Sequence, residues 1–111
     1  MIYLIKERGT KEQIEEMLEA LGSYIKLAVD IERCILTGGG ELHADCEAVL
    51  LENGSKQLDI WGADWYPLTQ EVGYESLINI RPRQNNRSME IQDPVIRKRV
   101  AQIVQQLLGG L

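Results

Sequence analysis

Across Gly22 the apolar residues of this chain change their spacing, and that change limits the folds open to it. Upstream, Ile14, Met17, Leu18 and Leu21 recur at three- and four-residue intervals, the period of one helix face. Downstream, Ile25, Leu27, Val29 and Ile31 recur at every second residue, with Lys26, Ala28, Asp30 and Glu32 between them, the period of a half-buried strand. A helix followed at once by a strand points to a layered fold that mixes both.

The flanking signals set the boundaries. Thr10 and Gln13 have the capping-box spacing, so the first helix is expected over roughly 11–21, with Gly22 as its stop and Glu12, Glu15, Glu16 and Glu19 on a solvated face. After the strand, Arg33–Thr37 either extends it or begins its partner beyond a bend. Gly38-Gly39-Gly40 is expected to break the pattern as a bulge, turn or ligand-approach point, because three glycines cost too much backbone entropy for a strand interior. Leu42, Ala44, Cys46, Ala48 and Leu50 alternate through 41–51, which predicts a strand. Asn53-Gly54 then predicts a type I′ turn returning as Lys56–Trp61. An aromatic loop, Trp61 to Pro67, leads to an expected strand over 76–81 that Pro82 ends.

Residues 83–92 read as a polar loop. Asp93-Pro94 supplies an N-cap and first helical residue, and Ile96, Val100, Ile103, Val104, Leu107 and Leu108 form an apolar stripe over roughly 94–108, stopped by Gly109-Gly110. The expected fold is α+β: a mostly antiparallel sheet of four to five strands with an N-terminal and a C-terminal helix, residues 1–111 forming one domain. The stripe on the last helix is broader than one small sheet would cover, which predicts a homodimer.

Composition narrows the function classes. With 44% apolar and 26% charged residues the chain has the make-up of a folded protein rather than a disordered one. A net charge of −5 opposes binding to a nucleic-acid backbone. The charge is uneven: residues 1–52 carry 5 basic and 11 acidic side chains, whereas 81–99 carry Arg81, Arg83, Arg87, Arg97, Lys98 and Arg99 against Glu90 and Asp93. Cys34 and Cys46 are too few for a disulfide scaffold and form no Cys-x-x-Cys pair, so both read as unreactive buried thiols. The apolar Met1–Ile5 stretch meets Lys6-Glu7-Arg8 before a signal-peptide core is complete, and no run reaches membrane-spanning length, so the cytoplasm is the expected compartment.

Three groups of residues could carry chemistry. If 41–51 is a strand, Glu41, His43 and Asp45 share one face and could ligate a divalent metal such as manganese, magnesium or iron, with Asp30 and Glu32 completing the shell from a neighbouring strand. Against this, most such triplets bind nothing and are solvated polar surface, or a His holding a charge-assisted hydrogen bond, and the spacing here matches no established metal signature. Arg81, Arg83 and Arg87, with Asn86 among the intervening amides, could bind an anionic ligand through two-pronged guanidinium contacts. Alternatively they pair with Asp30, Glu32, Glu41 or Asp45 and pin the loop to the sheet, which an acidic chain favours. Trp61 and Trp65, with Tyr66, could stack on a ligand or anchor a partner, although a chain without phenylalanine needs those rings in its core.

Several segments in combination are familiar: Val29-Asp30-Ile31-Glu32, Gly39 to Asp45, Leu51 to Gln57, Trp61-Gly62, Asn79-Ile80-Arg81-Pro82 and Asn86-Arg87-Ser88. Over roughly 2–108 the chain resembles a family of short bacterial proteins catalogued only as a domain of unknown function. Cys46 stands where the resemblance leads us to expect a further acidic residue. The resemblance implies a stand-alone bacterial domain and carries over no activity, cofactor or substrate. Two functions follow as expectations. The first is a non-enzymatic binding or interaction module, a homodimer that takes a protein or a small anionic ligand and needs no cofactor. The second is a metal-dependent hydrolase acting on a phosphoester, with Glu41, His43 and Asp45 holding the ion and the arginines neutralising the phosphate.

Overall fold

A computed structural model describes residues 1–111. The first helix forms where the capping box places it: the Thr10 hydroxyl accepts from the Gln13 N–H at 3.1 Å, and the Gln13 side chain accepts from the Thr10 N–H at 3.0 Å. This helix, α1, spans Lys11–Leu18 and buries Ile14 and Met17. It ends earlier than expected, because Gly22 takes a positive φ and its N–H closes back on the Leu18 carbonyl at 2.7 Å.

Five antiparallel strands make one sheet in the order β1-β3-β2-β4-β5. They are β1 (Tyr3–Ile5), β2 (Ile25–Asp30), β3 (Ile35–Gly40), β4 (Ile60–Tyr66) and β5 (Glu71–Gly73). The chain is α+β, as expected. The alternation read in β2 holds: Ile25, Leu27 and Val29 enter the main core together with Ile5, Leu36, Trp61, Ala63 and Trp65, under α1 and the last helix.

That last helix, α3, spans Pro94–Leu108, with the Asp93 carboxylate accepting from the Val95 N–H at 2.8 Å. Its stripe at Val100, Ile103, Val104, Leu107 and Leu108 is buried within the same chain, with Ile96 packed at the margin. The uncovered surplus from which a dimer was expected is therefore absent. Arg8 donates to the Gln106 and Gly109 carbonyls, tying the chain's start to the free carbonyls at the end of α3.

Several expected elements differ from those observed. Residues 41–51 are not a strand: α2 spans His43–Glu52 and lies on the opposite sheet face from α1 and α3, burying Cys46 and Leu50 against Ala28, Ile35 and Ile60. The alternation there was carried by Ala44 and Ala48, which lie exposed; alanine is the best helix former and says little about faces. Asn53-Gly54 accordingly closes a helix rather than a hairpin, the Asn53 and Gly54 N–H groups bonding back to carbonyls of α2.

Of the outcomes expected for Gly38–Gly40 the bulge is the one observed, but it lies within β3, which runs through all three glycines to its end. The register steps from Leu27 opposite Gly38 to Lys26 opposite Gly40, so Gly39, at φ 104°, is the extra residue of a bulge. A Cβ on Gly38 would lie 2.7 Å from Leu27 Cδ2, which is why a side chain is excluded there. Residues 76–81 are a 3₁₀ turn, Leu77–Asn79, capped by Ser76, and not a strand. The aromatic segment expected as a loop is β4 itself, buried from Ile60 to Trp65.

Candidate functional site

The strand β5 covers β4 only from Asp64 to Tyr66, leaving the Ile60–Gly62 stretch of that edge without a strand neighbour. Residues 74–92 fill the gap with side-chain amides in place of a ladder. The Asn79 side chain accepts from the Gly62 N–H at 2.8 Å and donates to the carbonyls of Gly62, Tyr74 and Met89. Asn86 is buried behind it, donating to the carbonyls of Asn79, Ser88 and Glu90 and accepting from the Gln92 N–H. Asn86 is thus committed internally and offers nothing to a ligand.

Arg81 is held the same way. Its Nη2 lies 3.1 Å from Glu47 Oε2 on α2, its Nε donates to the Ile78 carbonyl at 2.9 Å and its Nη1 to the Gln57 carbonyl at 2.6 Å. Its guanidinium also sits 5.0 Å from the centroid of the Trp61 ring. Burial lowers the Arg81 pKa, with Glu47 pulling the other way. Its carboxylate partner is Glu47 and none of Asp30, Glu32, Glu41 or Asp45. Arg83 and Arg87, in contrast, are exposed and enter no ion pair.

Above the Glu47–Arg81 pair lies an open groove of about 560 Å³, between α2, the Gln57-Leu58 turn and the 77–84 segment. Its walls carry Leu77, 73% exposed, Leu58, 59%, and Ile80, 45%. Arg83 and Gln84 stand at its margin. Because Glu47 and Arg81 neutralise each other, Arg83 is the one uncompensated charge on the lining. The volume lies within the range of ligand pockets, but walls this exposed suit a partner that covers them from outside.

The proposed metal triplet falls apart because its face assignment rested on a strand. His43 turns toward the sheet, its Nε2 lying 2.9 Å from Asp64 Oδ1 and 3.1 Å from the Ala63 carbonyl. Glu41 precedes α2 and Asp45 lies in its first turn; both line a separate shallow depression beside Met1 and Glu19. Asp30, the supposed outer ligand, is buried: Oδ1 accepts from the Glu32 and Arg33 N–H groups, and Oδ2 from the Ser55 hydroxyl at 2.6 Å. No three His, Cys, Asp or Glu residues are grouped to share a metal ion. Arg81 and Arg83 line the groove whereas Glu41 and Asp45 line the separate depression, so these groups do not converge on one pocket as the phosphoester hydrolase reading requires.

Trp61 and Trp65 are fully buried in the main core, each with an indole N–H that meets no acceptor, and neither offers a stacking face. Tyr66 remains partly open, stacked on Tyr24 at 5.3 Å between ring centroids. Cys46 is buried, whereas Cys34 is exposed on the β2–β3 turn, contrary to the expectation that both are buried. The groove residues Leu58, Leu77 and Glu47 were not singled out from the sequence, and Ile80 entered only as part of the Asn79-Ile80-Arg81-Pro82 segment. Ser76 followed by Leu77 and Ile80 carried the available signal, a short capped turn with apolar residues three apart.

No helix is long and apolar enough to cross a membrane. No curated protein and no solved structure matches the chain. The model of one family does match, over residues 3–107, and its extent leaves only the two ends outside; the chain belongs to that family, the protein of unknown function DUF5674.

Proposed function

We propose that this domain is a non-enzymatic interaction module of the bacterial cytoplasm, and that its groove takes an apolar segment bearing a carboxylate from a protein partner. One observation carries the reading: Leu58, Leu77 and Ile80 stand exposed around a single concavity whose only unpaired charge is the Arg83 guanidinium. Exposed aliphatic side chains gathered at one depression are the pattern of a docking surface, and a lone arginine at the margin favours an acidic group in the occupant. Free thiols at Cys34 and Cys46 fit a reducing compartment.

The test is selection of binders from a displayed library of random peptides on the purified domain. Selected peptides are expected to share apolar positions flanked by Asp or Glu, and to lose at least tenfold in affinity on Leu77→Asp and several-fold on Arg83→Glu. Leu42→Asp, on an exposed residue outside the groove, is expected to change nothing. Peptides that bind the Leu77→Asp variant as well as the parent would remove the groove from the account.

A further inference from the structure

We propose that the occupant of the groove is a second copy of this chain, entering with the tip of its β4–β5 hairpin. The inference rests on the groove being a docking site and names its partner. The tip is Pro67 to Gln70, closed by the Gln70 N–H on the Tyr66 carbonyl at 2.7 Å. Polar residues and glycine dominate such turns, yet this one presents Leu68 at 96% exposure, more than any other large apolar side chain of the chain. Three residues on, Glu71 is exposed at the start of β5. An aliphatic side chain with a carboxylate close behind it is the complement of Leu58, Leu77 and Ile80 with Arg83.

The same chain cannot satisfy its own groove. The groove includes Gln57 and Leu58, just before β4, while the tip follows Tyr66 at the other end of that strand; the length of the strand from Ile60 to Tyr66 puts them roughly 20 Å apart on one rigid sheet. Docking therefore runs between molecules, tip of one into groove of the next. Such a contact is head-to-tail: it closes into a ring where the rotation allows and otherwise extends. Two chains of net charge −5 repel at long range, but at physiological ionic strength this is screened beyond about 8 Å, so the local match of Glu71 to Arg83 decides. One leucine and one ion pair make an interface at the small, weak end of the range, so association is expected only at high protein concentration.

Sedimentation equilibrium at physiological ionic strength, up to millimolar protein, tests this. The parent is expected to show concentration-dependent association, and Leu68→Asp and Leu77→Asp each to remain monomeric. The decisive sample is an equimolar mixture of the two variants. The first keeps an intact groove and the second an intact tip, so together they are expected to form a one-to-one dimer that cannot extend. A monomeric parent at millimolar concentration, continued association of either variant alone, or failure of the mixture to dimerise overturns the proposal. Both substitutions are at exposed positions, and the dimerising mixture also reports that each variant is folded. The failure is separable from that of the groove itself: if selected peptides bind Leu68→Asp as tightly as the parent while no self-association occurs, the groove stands and the second copy is wrong.

Discussion

Glu47 Oε2 and Arg81 Nη2 lie 3.1 Å apart, joining α2 to the segment that guards the edge of β4 across 34 residues of sequence. Both side chains are largely buried, so the pair forms the floor of the groove and not part of its recognising surface. Removing one member strands the other charge in a poorly solvated site, whereas Arg83 and Arg87 have no internal partner to strand.

Arg81→Ala is accordingly expected to destabilise the domain by about 3 kcal/mol in urea unfolding, and Arg83→Ala and Arg87→Ala by less than about 0.5 kcal/mol. The double change Glu47→Leu with Arg81→Met should recover most of the loss, since no charge is left uncompensated. Equal effects from all three single arginine substitutions would show that the Glu47 contact contributes nothing of its own.

The amide latch offers a sharper test of how the 74–92 segment is held. Asn79→Ala orphans the Gly62 N–H and removes a donor from three carbonyls, so a loss of at least about 3 kcal/mol is expected. Asn79→Asp keeps the acceptor for Gly62 but sets a carboxylate among those carbonyls, and should be no better tolerated. Limited proteolysis supplies the local readout: new cleavage within 74–92 in either variant, with the remainder still protected. Cleavage spread evenly along the chain would mean that Asn79 supports the whole fold and not this segment alone.

Much of the scaffold was legible because its signals were local. Thr10 with Gln13, Asp93 with Pro94, and the alternation from Ile25 to Val29 each report a short-range physical preference that the fold keeps. What was illegible depended on partners distant in sequence. Ala44 and Ala48 fit a strand and a helix equally, and only the open sheet face over Ala28 and Ile60 makes α2 the better solution. Gly38–Gly40 was legible as a bulge, turn or ligand-approach point, but which of these it is, and that β3 continues through it, depends on the register against Lys26 and Leu27 of a second strand. The groove was invisible for the same reason: Leu58 and Leu77 are nineteen residues apart and share a wall only after Asn79 docks on Gly62. The metal triplet failed with the strand that it presupposed.

The two cysteines should differ sharply in reactivity. Cys34 is exposed on the β2–β3 turn, with Arg99 Nη2 3.5 Å from its sulfur, whereas Cys46 lies under α2 against the Lys26 carbonyl. A chromogenic disulfide reagent at neutral pH is expected to modify one thiol equivalent quickly and the second only as fast as the protein unfolds. Cys34→Ser should abolish the fast phase. Two fast equivalents in the parent would mean that α2 opens far more readily than its packing implies.

The same buried thiol sets an alkaline limit on stability. Burial pushes the Cys46 pKa up, with the Gly40 backbone contact and Lys26 opposing and Asp45 adding to the rise. A group that holds its proton more tightly when folded contributes stability that is complete below its unfolded pKa, about 8.5 for a thiol, and lost as pH rises through the folded value. Tyr66, raised by burial and by Asp64, and Tyr3, raised by its hydrogen bond to Glu16, have the same sign at higher pH, above about 10. Unfolding free energy should therefore be level up to about pH 8.5 and then fall, a single thiol contributing a slope of at most about 1.4 kcal/mol per pH unit. Cys46→Ala should lower stability at neutral pH through the small cavity, yet flatten the decline between about pH 8.5 and 10 while leaving the steeper loss beyond it. Parallel pH profiles for parent and variant would show that the Cys46 proton is not what the alkaline transition removes.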